Sequence, residues 1–139
     1  MMLVKKSIWH AQVRDYELDS QGIVNNANYL HYFEHARHQA LAQDLGITFI
    51  HYQQQGIDFV MSEVNIKYAA SLYSEDNFRL ETIFTVQGRL RIIAEQQIFI
   101  DEKLIASAKT TVVCFDRKKG KPVMPKEVLN AIIGLQLAS

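Results

Sequence analysis

The sequence predicts one α+β domain, in which a single long helix packs on a five-stranded antiparallel sheet. Its 139 residues, with 48% hydrophobic and 22% charged content, have the size and composition of one globular core. One stretch shows sustained helical periodicity, and several extended segments are separated only by short turn signals. We therefore expect a single domain over residues 1–139, with no linker.

The first half of the chain holds one predicted strand and the long helix. Residues 3–14 mix β-favouring apolar residues with polar ones and contain neither Gly nor Pro, which is typical of a strand. Residues 19–22 indicate a turn. Apolar residues then recur at helical spacing from Ala27 to about Leu45, and Gly46 provides a C-terminal stop. A short second helix is expected within residues 47–56.

The second half predicts four strands and a short helix. Residues 57–68 alternate as a strand does, and three extended runs follow over residues 78–86, 90–100 and 104–115. Their short connections predict antiparallel hairpins. After a charged turn, Pro125 opens a final amphipathic helix. Because one main helix covers only part of a sheet, we expect the remaining face and edges to be covered by self-association, as a homodimer or a dimer of dimers (homotetramer).

The charge balance gives no electrostatic reason to expect a nucleic acid or an anionic membrane as partner. Basic and acidic residues number 15 each, for a formal net charge of +0. The N-terminal segment lacks the pattern of a signal peptide, and no later apolar run is long enough to span a bilayer. Cys114 has no possible intramolecular disulfide partner and stands among apolar neighbours, so we expect it to be buried and the protein to be cytoplasmic.

One pattern of residues runs through nearly the whole chain. It comprises Val13-Arg14, then Asp19-x-x-Gly22-x-Val24-Asn25-Asn26-Ala27-x-Tyr29-Leu30-x-Tyr32-Phe33-Glu34-x-Ala36-Arg37, then Ile66-Lys67-Tyr68, Asp76, residues 111–116, Gly120-Lys121-Pro122 and Pro125. In order and spacing it resembles the hotdog-fold acyl-CoA thioesterases of the 4-hydroxybenzoyl-CoA thioesterase type. The resemblance implies a long helix wrapped by a five-stranded sheet, a dimer that often pairs into tetramers, and an active site at the subunit interface.

The same resemblance implies roles for three positions. Asp19 would be the catalytic carboxylate, as nucleophile or as base on water, and the backbone N–H of Asn26 would polarise the thioester carbonyl. Gly22 would allow the close turn between them. The substrate would be an acyl-CoA, with coenzyme A as part of the substrate and no other cofactor. The chain departs from the family at Ile23, where many relatives carry His, and at Ala70 and Ser71, where a basic residue and proline are common.

The residues themselves give this segment a chemical interpretation. Thioester cleavage places negative charge on the carbonyl oxygen, and a helix N-terminus offers fixed N–H donors and a positive dipole end. Against that effect, Asp15, Glu17 and Asp19 occupy alternate positions of an expected extended segment, where like charges facing one side raise carboxylate pKa values. The structural alternative is that Asp19 is only a turn or cap residue and that Asn25 and Asn26 cap the helix.

Binding residues are predicted less specifically than the acid. Candidates for the phosphates of coenzyme A are Arg89, Arg91 and Lys118, together with Lys119 and Lys121, whose alternative is a solvated charged turn. By resemblance, Lys67 and Tyr68 belong to a ligand-facing strand. Tyr29 is expected in the core or an interface, with lining an acyl pocket as its second interpretation.

Other function classes find little support in the sequence. His31, His35 and His38 share helical spacing, but no second ligand set accompanies them, so we expect no metal site. Serine-hydrolase, nucleotide-binding and zinc-hydrolase motifs are absent from the sequence. The alternatives kept open are a non-catalytic module that binds acyl-CoA or an acyl carrier and a hydroxyacyl-thioester dehydratase. The dehydratase would need a His/Asp or His/Glu pair, and the histidine that follows the glycine in relatives is Ile23 here. Acyl carrier protein is a possible partner without specific support.

Overall fold

The computed structural model describes residues 6–137, with side chains as far as Gly134. Its elements are β1 (Ser7–Gln12), α1 (Asn26–Asp44), α2 (Phe49–Gln54), β2 (Ile57–Tyr68), β3 (Asn77–Gln87), β4 (Arg91–Ile100), β5 (Lys103–Asp116), β6 (Lys121–Val123) and α3 (Lys126–Leu137). This order confirms the predicted succession of strand, long helix, four strands and final helix. Part of the predicted first strand, residues 3–5, lies outside the described residues. None of the described helices has the length and apolar character needed to cross a membrane.

The sheet is antiparallel throughout, with the strand order β1-β3-β4-β5-β2. The two hairpins, β3–β4 and β4–β5, confirm the antiparallel connections predicted from short turns. The three-residue strand β6 was not predicted; it pairs with β5 through Cys114↔Val123 and continues the line of β4, whose pairing with β5 begins at Arg91↔Val113. Pro122 is tolerated there because β6 is short and lies at an edge.

Helix α1 begins and ends as its sequence predicts. The Asn25 side chain accepts a hydrogen bond from the Ala27 N–H at 2.9 Å and so caps the helix. At the other end, Gly46 takes a left-handed φ of 67°, and the Ile47 N–H donates to the Leu41 carbonyl at 2.8 Å. The cap and the stop together fix the length and position of α1 on the sheet.

The core consists of two clusters along α1. The first lies under its N-terminal half, where Phe33 packs with residues of β3, β4 and β5 such as Leu80 and Ile98. The second lies under its C-terminal half and joins α2 and α3, with Cys114 and Ile132 fully buried. The predicted burial of Cys114 is confirmed. Because both clusters hold α1, its N-terminus is a rigid platform for the turn that precedes it.

Candidate active site

Asp19 lies in a small hairpin that leads directly into α1. Leu18 and Val24 form an antiparallel bridge, and within it the Asp19 N–H donates to the Ile23 carbonyl at 2.8 Å. The Gly22 N–H donates to the Asp19 carbonyl at 3.1 Å, and Gly22 has a left-handed φ of 79°. Side chains with a Cβ rarely adopt this conformation, so glycine lets the chain reverse tightly beside the acid.

Only one of the two carboxylate oxygens of Asp19 accepts hydrogen bonds from its own turn. Its Oδ1 accepts hydrogen bonds from the Gln21 N–H at 2.8 Å and the Ile23 N–H at 3.4 Å, which confirms the structural interpretation of Asp19 as a turn residue. Its Oδ2 accepts no hydrogen bond from the described part of the chain. Since Asp19 is also partly exposed, one oxygen fixes the side chain while the other can face a ligand.

The helix start beside this turn offers an unused donor. The Asn25 side chain takes the Ala27 N–H, and the Asn25 carbonyl accepts the Asn28 N–H at 2.9 Å. The N–H of Asn26, an exposed residue, has no acceptor within residues 6–137. The Asn25 N–H donates to the Glu17 carbonyl at 3.0 Å, so Asn25 lies opposite Glu17 in the hairpin that holds Asp19. Asp19 is two residues beyond Glu17, at most about 7 Å of extended chain at about 3.3 Å per residue.

Glu17 joins the turn to the helix. Its buried carboxylate accepts hydrogen bonds from the Arg14 N–H at 2.8 Å, Arg14 Nη2 at 3.0 Å and the Tyr32 hydroxyl at 2.8 Å. Its carbonyl accepts from Asn25 N–H and from Asn28 Nδ2 at 2.9 Å. The carboxylate and the backbone carbonyl of Glu17 thus both bind residues at or near the start of α1. Together these bonds set where Asp19 lies relative to the free N–H groups of the helix.

The expectation that Asp15, Glu17 and Asp19 face one side is wrong. Residues Asp15–Glu17 form one turn of 3-10 helix, which turns Glu17 inward while Asp15 stays exposed. Burial raises the pKa of Glu17, but the hydrogen bonds from Arg14 and Tyr32 outweigh it and leave that pKa below its usual value. Sequence reasoning missed Glu17 as a site residue, although an acid three residues after Arg14 is at a spacing where the two side chains can pair.

The tyrosines divide between core and surface. Tyr29 is 2% exposed, and its hydroxyl accepts the Leu72 N–H at 3.1 Å, which confirms its predicted place in the core. Its ring packs edge-on against Tyr68, with 5.2 Å between centroids. Lys67 and Tyr68 are both exposed at the end of β2, so Tyr68 extends from the core beneath the helix start to the surface.

The predicted phosphate-binding residues are exposed but distant from Asp19 within one chain. Ile23 bridges to Tyr73, which places the acid turn near the segment that joins β2 to β3. Arg89 and Arg91 lie at the opposite end of the β3–β4 hairpin, about 30 Å away at 3.3 Å per strand residue. Lys118 follows β5 beside the beginning of β2, which is likewise the far end. One chain alone therefore does not bring these cations to Asp19.

The three helix histidines do not converge. His35 packs on Trp9 with ring centroids 4.7 Å apart, and His38 packs on Phe49 at 4.5 Å, while His31 is exposed. Within residues 6–137, no group of three or more His, Cys, Asp or Glu side chains could hold a metal ion. His35 and His38 therefore contribute aromatic packing.

Residues 13–132 match the family model of the thioesterase-like superfamily. The chain belongs to this superfamily. The match spans the acid turn, α1 and the strands β2 to β6, and it begins at Val13, the first residue of the pattern that carries the resemblance. The hotdog fold predicted from the sequence is thereby confirmed; the narrower 4-hydroxybenzoyl-CoA type stays a prediction.

Similar proteins of this superfamily are named as thioester hydrolases. The acyl-acyl carrier protein thioesterase ATL2 of Arabidopsis thaliana is 36% identical over 119 residues, which are 84% of this chain and 63% of that protein. The chain thus spans less than two thirds of that relative's length. The acyl-CoA thioesterase YbgC of Haemophilus influenzae is 31% identical over 81% of this chain and 83% of its own. A DHNA-CoA thioesterase from Staphylococcus aureus superposes with a TM-score of 0.76 at 26% identity, over 85% of this chain and 79% of its own. The enzyme class predicted from the sequence, thioester hydrolase, is the class that the names of these relatives state.

Proposed function

We propose that the chain is an acyl-CoA thioesterase that releases a free acid and coenzyme A, with Asp19 as its catalytic carboxylate. The observation that carries this proposal is the Asp19 carboxylate, with Oδ2 left unused by the described residues, in a hairpin next to the unused Asn26 N–H. Membership of the thioesterase-like superfamily supports the reaction class. Coenzyme A enters as part of the substrate, and the reaction as proposed needs no other cofactor.

The proposed chemistry uses the two groups in sequence. The thioester oxygen accepts the Asn26 N–H, where the helix dipole supplies roughly half a positive charge to the developing oxyanion. Asp19 then either removes a proton from the attacking water or attacks the carbonyl carbon itself, forming a mixed anhydride that water cleaves. In both routes the C–S bond breaks, coenzyme A leaves as thiolate and takes up a proton, and water supplies the second acid oxygen.

We also propose that two copies pair through the free edge of β2. Within residues 6–137, β2 pairs with β5 on one side and with no strand on the other, and its edge residues Val60 and Met61 are 47% and 48% exposed. Two-fold pairing of identical edge strands is antiparallel, so the beginning of one β2 lies beside the end of the other. Lys118, near the beginning of β2, would then approach Lys67 and Tyr68 of the partner subunit. Sedimentation velocity tests this pairing: Met61→Lys should yield monomers, and an unchanged dimer would contradict it.

Thiol release from a panel of short, long and aromatic acyl-CoAs tests the activity. Asp19→Asn should lower kcat on the best substrate by about 10²-fold or more, the contribution expected of a positioned acid or base. Asp15→Asn is the matched control, because Asp15 is an exposed acid of the same segment. Absence of thiol release from the whole panel, or unchanged turnover by Asp19→Asn, would overturn the proposal; saturable binding without release would identify a non-catalytic binding module.

The name of the plant relative favours a second carrier, acyl carrier protein. The two candidates differ only in what bears the thioester, so the same acyl group should be compared on coenzyme A and on acyl carrier protein. A higher kcat/KM on the protein carrier would assign the chain to that substrate class. A higher value on coenzyme A would support the acyl-CoA proposal.

A further inference from the structure

Arg37 is a buried cation that has no ion-pair contact with a carboxylate of residues 6–137. It faces inward from α1 and is 7% exposed. Its Nη1 lies 3.4 Å from Gln96 Oε1 and 3.5 Å from Thr110 Oγ1, and its Nη2 lies 4.0 Å from Met61 Sδ. Well-formed N–H···O bonds measure about 2.7–3.2 Å, so these contacts are at or beyond the outer limit. No carboxylate in residues 6–137 forms an ion pair with Arg37.

The neighbours of Arg37 are held by other groups. Gln96 Nε2 donates to the Phe33 carbonyl and to Thr82 Oγ1, both at 3.0 Å, so Gln96 keeps its position without Arg37. Burial lowers the pKa of Arg37 and the charge of Glu34 partly opposes this shift, but a guanidinium stays protonated in proteins in either case. A buried charge that lacks a partner destabilises the fold, which makes a purely structural role for this cation costly.

The guanidinium borders an apolar cavity. The cavity measures about 60 Å³, and apart from Arg37 and His38 its walls are apolar: Leu41, Phe49, Phe59, Met61, Phe84, Ile92 and Val112. Since a cavity needs about 10–15 Å³ of such space to hold one water, this one admits a group of several atoms, such as a carboxylate. Partial desolvation lowers the pKa of His38, which favours its uncharged ring, so Arg37 is the permanent cation of this cavity.

An open groove leads to this cavity. The groove measures about 410 Å³ and shares five lining residues with the cavity: Arg37, His38, Phe49, Phe59 and Met61. Two acidic residues also line it. Asp58 is paired with Arg117, and Glu34 is exposed one helical turn before Arg37. The groove walls mix polar and apolar side chains, and the apolar ones, Phe49, Ile57, Phe59 and Met61, can contact a hydrocarbon chain. Arg37 lines both the groove and the cavity, and its charge favours a negative group there.

We propose that Arg37 binds a carboxylate at the far end of the acyl group, so that this chain selects dicarboxylic over monocarboxylic acyl thioesters. The guanidinium fork matches a carboxylate with two parallel hydrogen bonds, and the low-polarity walls strengthen them. The inference rests on the proposed function for the thioester end of the ligand only; the carboxylate site itself rests on the burial of Arg37 and its cavity.

The proposed dimer gives the groove a direction. Ile57, Asp58, Phe59 and Met61 belong to the beginning of β2, and antiparallel pairing brings Tyr68 of the partner subunit, and the acid turn near it, to this end. A thioester held at the acid turn of one subunit could thus extend its acyl group into the groove of the other. The tail would end at Arg37.

The decisive experiment compares matched pairs of substrates. For wild type and Arg37→Met, kcat/KM is measured on succinyl-, adipyl- and suberyl-CoA and on butyryl-, hexanoyl- and octanoyl-CoA. The ratio of diacid to monoacid of equal length should fall about tenfold or more in Arg37→Met, as expected for a lost charged hydrogen bond, while monoacid turnover is kept or rises. Lys109→Met, which removes an exposed cation of β5, should leave the ratio unchanged. If Arg37 had only a structural role, the substitution would instead lower kcat/KM equally on the diacid and the monoacid substrates.

Binding of free acids separates this inference from the proposed function. Calorimetry with adipate and hexanoate should show adipate binding that is lost in Arg37→Met. Should no thioester be hydrolysed while adipate still binds through Arg37, the activity proposal fails and the site stands. Thioester hydrolysis with an unchanged ratio and no Arg37-dependent adipate binding overturns the site. If Arg37→Met does not fold, Arg37→Lys keeps the charge without the fork and should lower the ratio; an unchanged ratio in that variant also overturns the site.

Discussion

Glu17→Gln should destabilise the fold by about 2 kcal/mol at pH 7, because Glu17 is a buried carboxylate whose charge is used by three donors. The substitution keeps the shape of the side chain and one acceptor oxygen. It removes the charge and turns an N–H₂ group toward donors. The change therefore tests the charged hydrogen bonds and not the packing.

The magnitude follows from the individual contacts. Hydrogen bonds to a charged group contribute about 1.5–3 kcal/mol each, and the backbone N–H of Arg14 and the Tyr32 hydroxyl are of this kind. The Arg14 side chain is 58% exposed, so its ion pair adds at most about 1 kcal/mol. Gln recovers part of the bonding and is easier to bury, which brings the net loss to about 2 kcal/mol. For a chain of this length that corresponds to a fall in Tm of roughly 4–8 °C.

The pH dependence gives the effect its signature. The pKa of Glu17 is lowered in the folded state, so its contribution is fully present above the unfolded value of about 4.3 and is lost as pH falls through the folded value. The stability gap between wild type and Glu17→Gln should thus be constant near pH 7 and should close in acid. Gln cannot titrate.

Urea unfolding between pH 3 and 8 measures this gap, with Asp15→Asn as the exposed control. Tyr32→Phe completes a double-mutant cycle, in which a coupling of about 1 kcal/mol or more with Glu17→Gln is expected for a shared buried bond. Thiol release should fall in Glu17→Gln through kcat more than KM, because the clamp positions Asp19 against the helix start. Equal urea midpoints, or a gap that persists unchanged at pH 3, would refute the reasoning.

Three further outcomes are expected. Gly22→Ala should lower the free energy of unfolding by about 1–2 kcal/mol and reduce thiol release, because φ is 79° at this position. No atom lies within 4 Å of the new Cβ, so the penalty comes from the backbone conformation. An equal Tm would contradict this prediction. Burial raises the pKa of the Cys114 thiol to about 11, so a disulfide reagent at pH 8 should react with it only after urea is added; rapid reaction of native protein contradicts this. Phe33→Ala should cost about 3–5 kcal/mol by urea unfolding, since Phe33 is 0% exposed, whereas a loss below about 1 kcal/mol would place it outside the core.

Local signals in the sequence predicted most of the fold. The limits of β2 match the predicted residues 57–68, and α1 differs from its prediction by one residue at each end, because caps, stops and hairpin turns are encoded by neighbouring residues. The strand β6 was missed for the opposite reason. Its three residues include Pro122, which disfavours a strand by sequence, and only their pairing with β5 across the turn of residues 117–120 makes them one.

The acid turn was likewise predictable, while the orientation of its neighbours was not. Asp19 and Gly22 form a turn through bonds within a few residues. The inward position of Glu17 depends on Tyr32, fifteen residues later in the chain, and that of Arg37 depends on β-strand residues such as Gln96. Alternation rules for extended chains therefore gave the wrong side for Glu17, because the local 3-10 turn and a tertiary partner decide it.

Glu17 and Arg37 show how one physical criterion separates two roles. Both are charged residues buried against α1, and burial of a charge is tolerated only when its partners compensate the lost hydration. The partners of Glu17 are all within the chain at 2.8–3.0 Å, so its removal should cost stability. The contacts of Arg37 are 3.4 Å or longer and its guanidinium borders a cavity, so Arg37→Met should keep or raise stability while changing which acid is bound. A large loss of stability in Arg37→Met, comparable to that in Glu17→Gln, would mean that Arg37 is compensated within the fold and that no ligand charge is required.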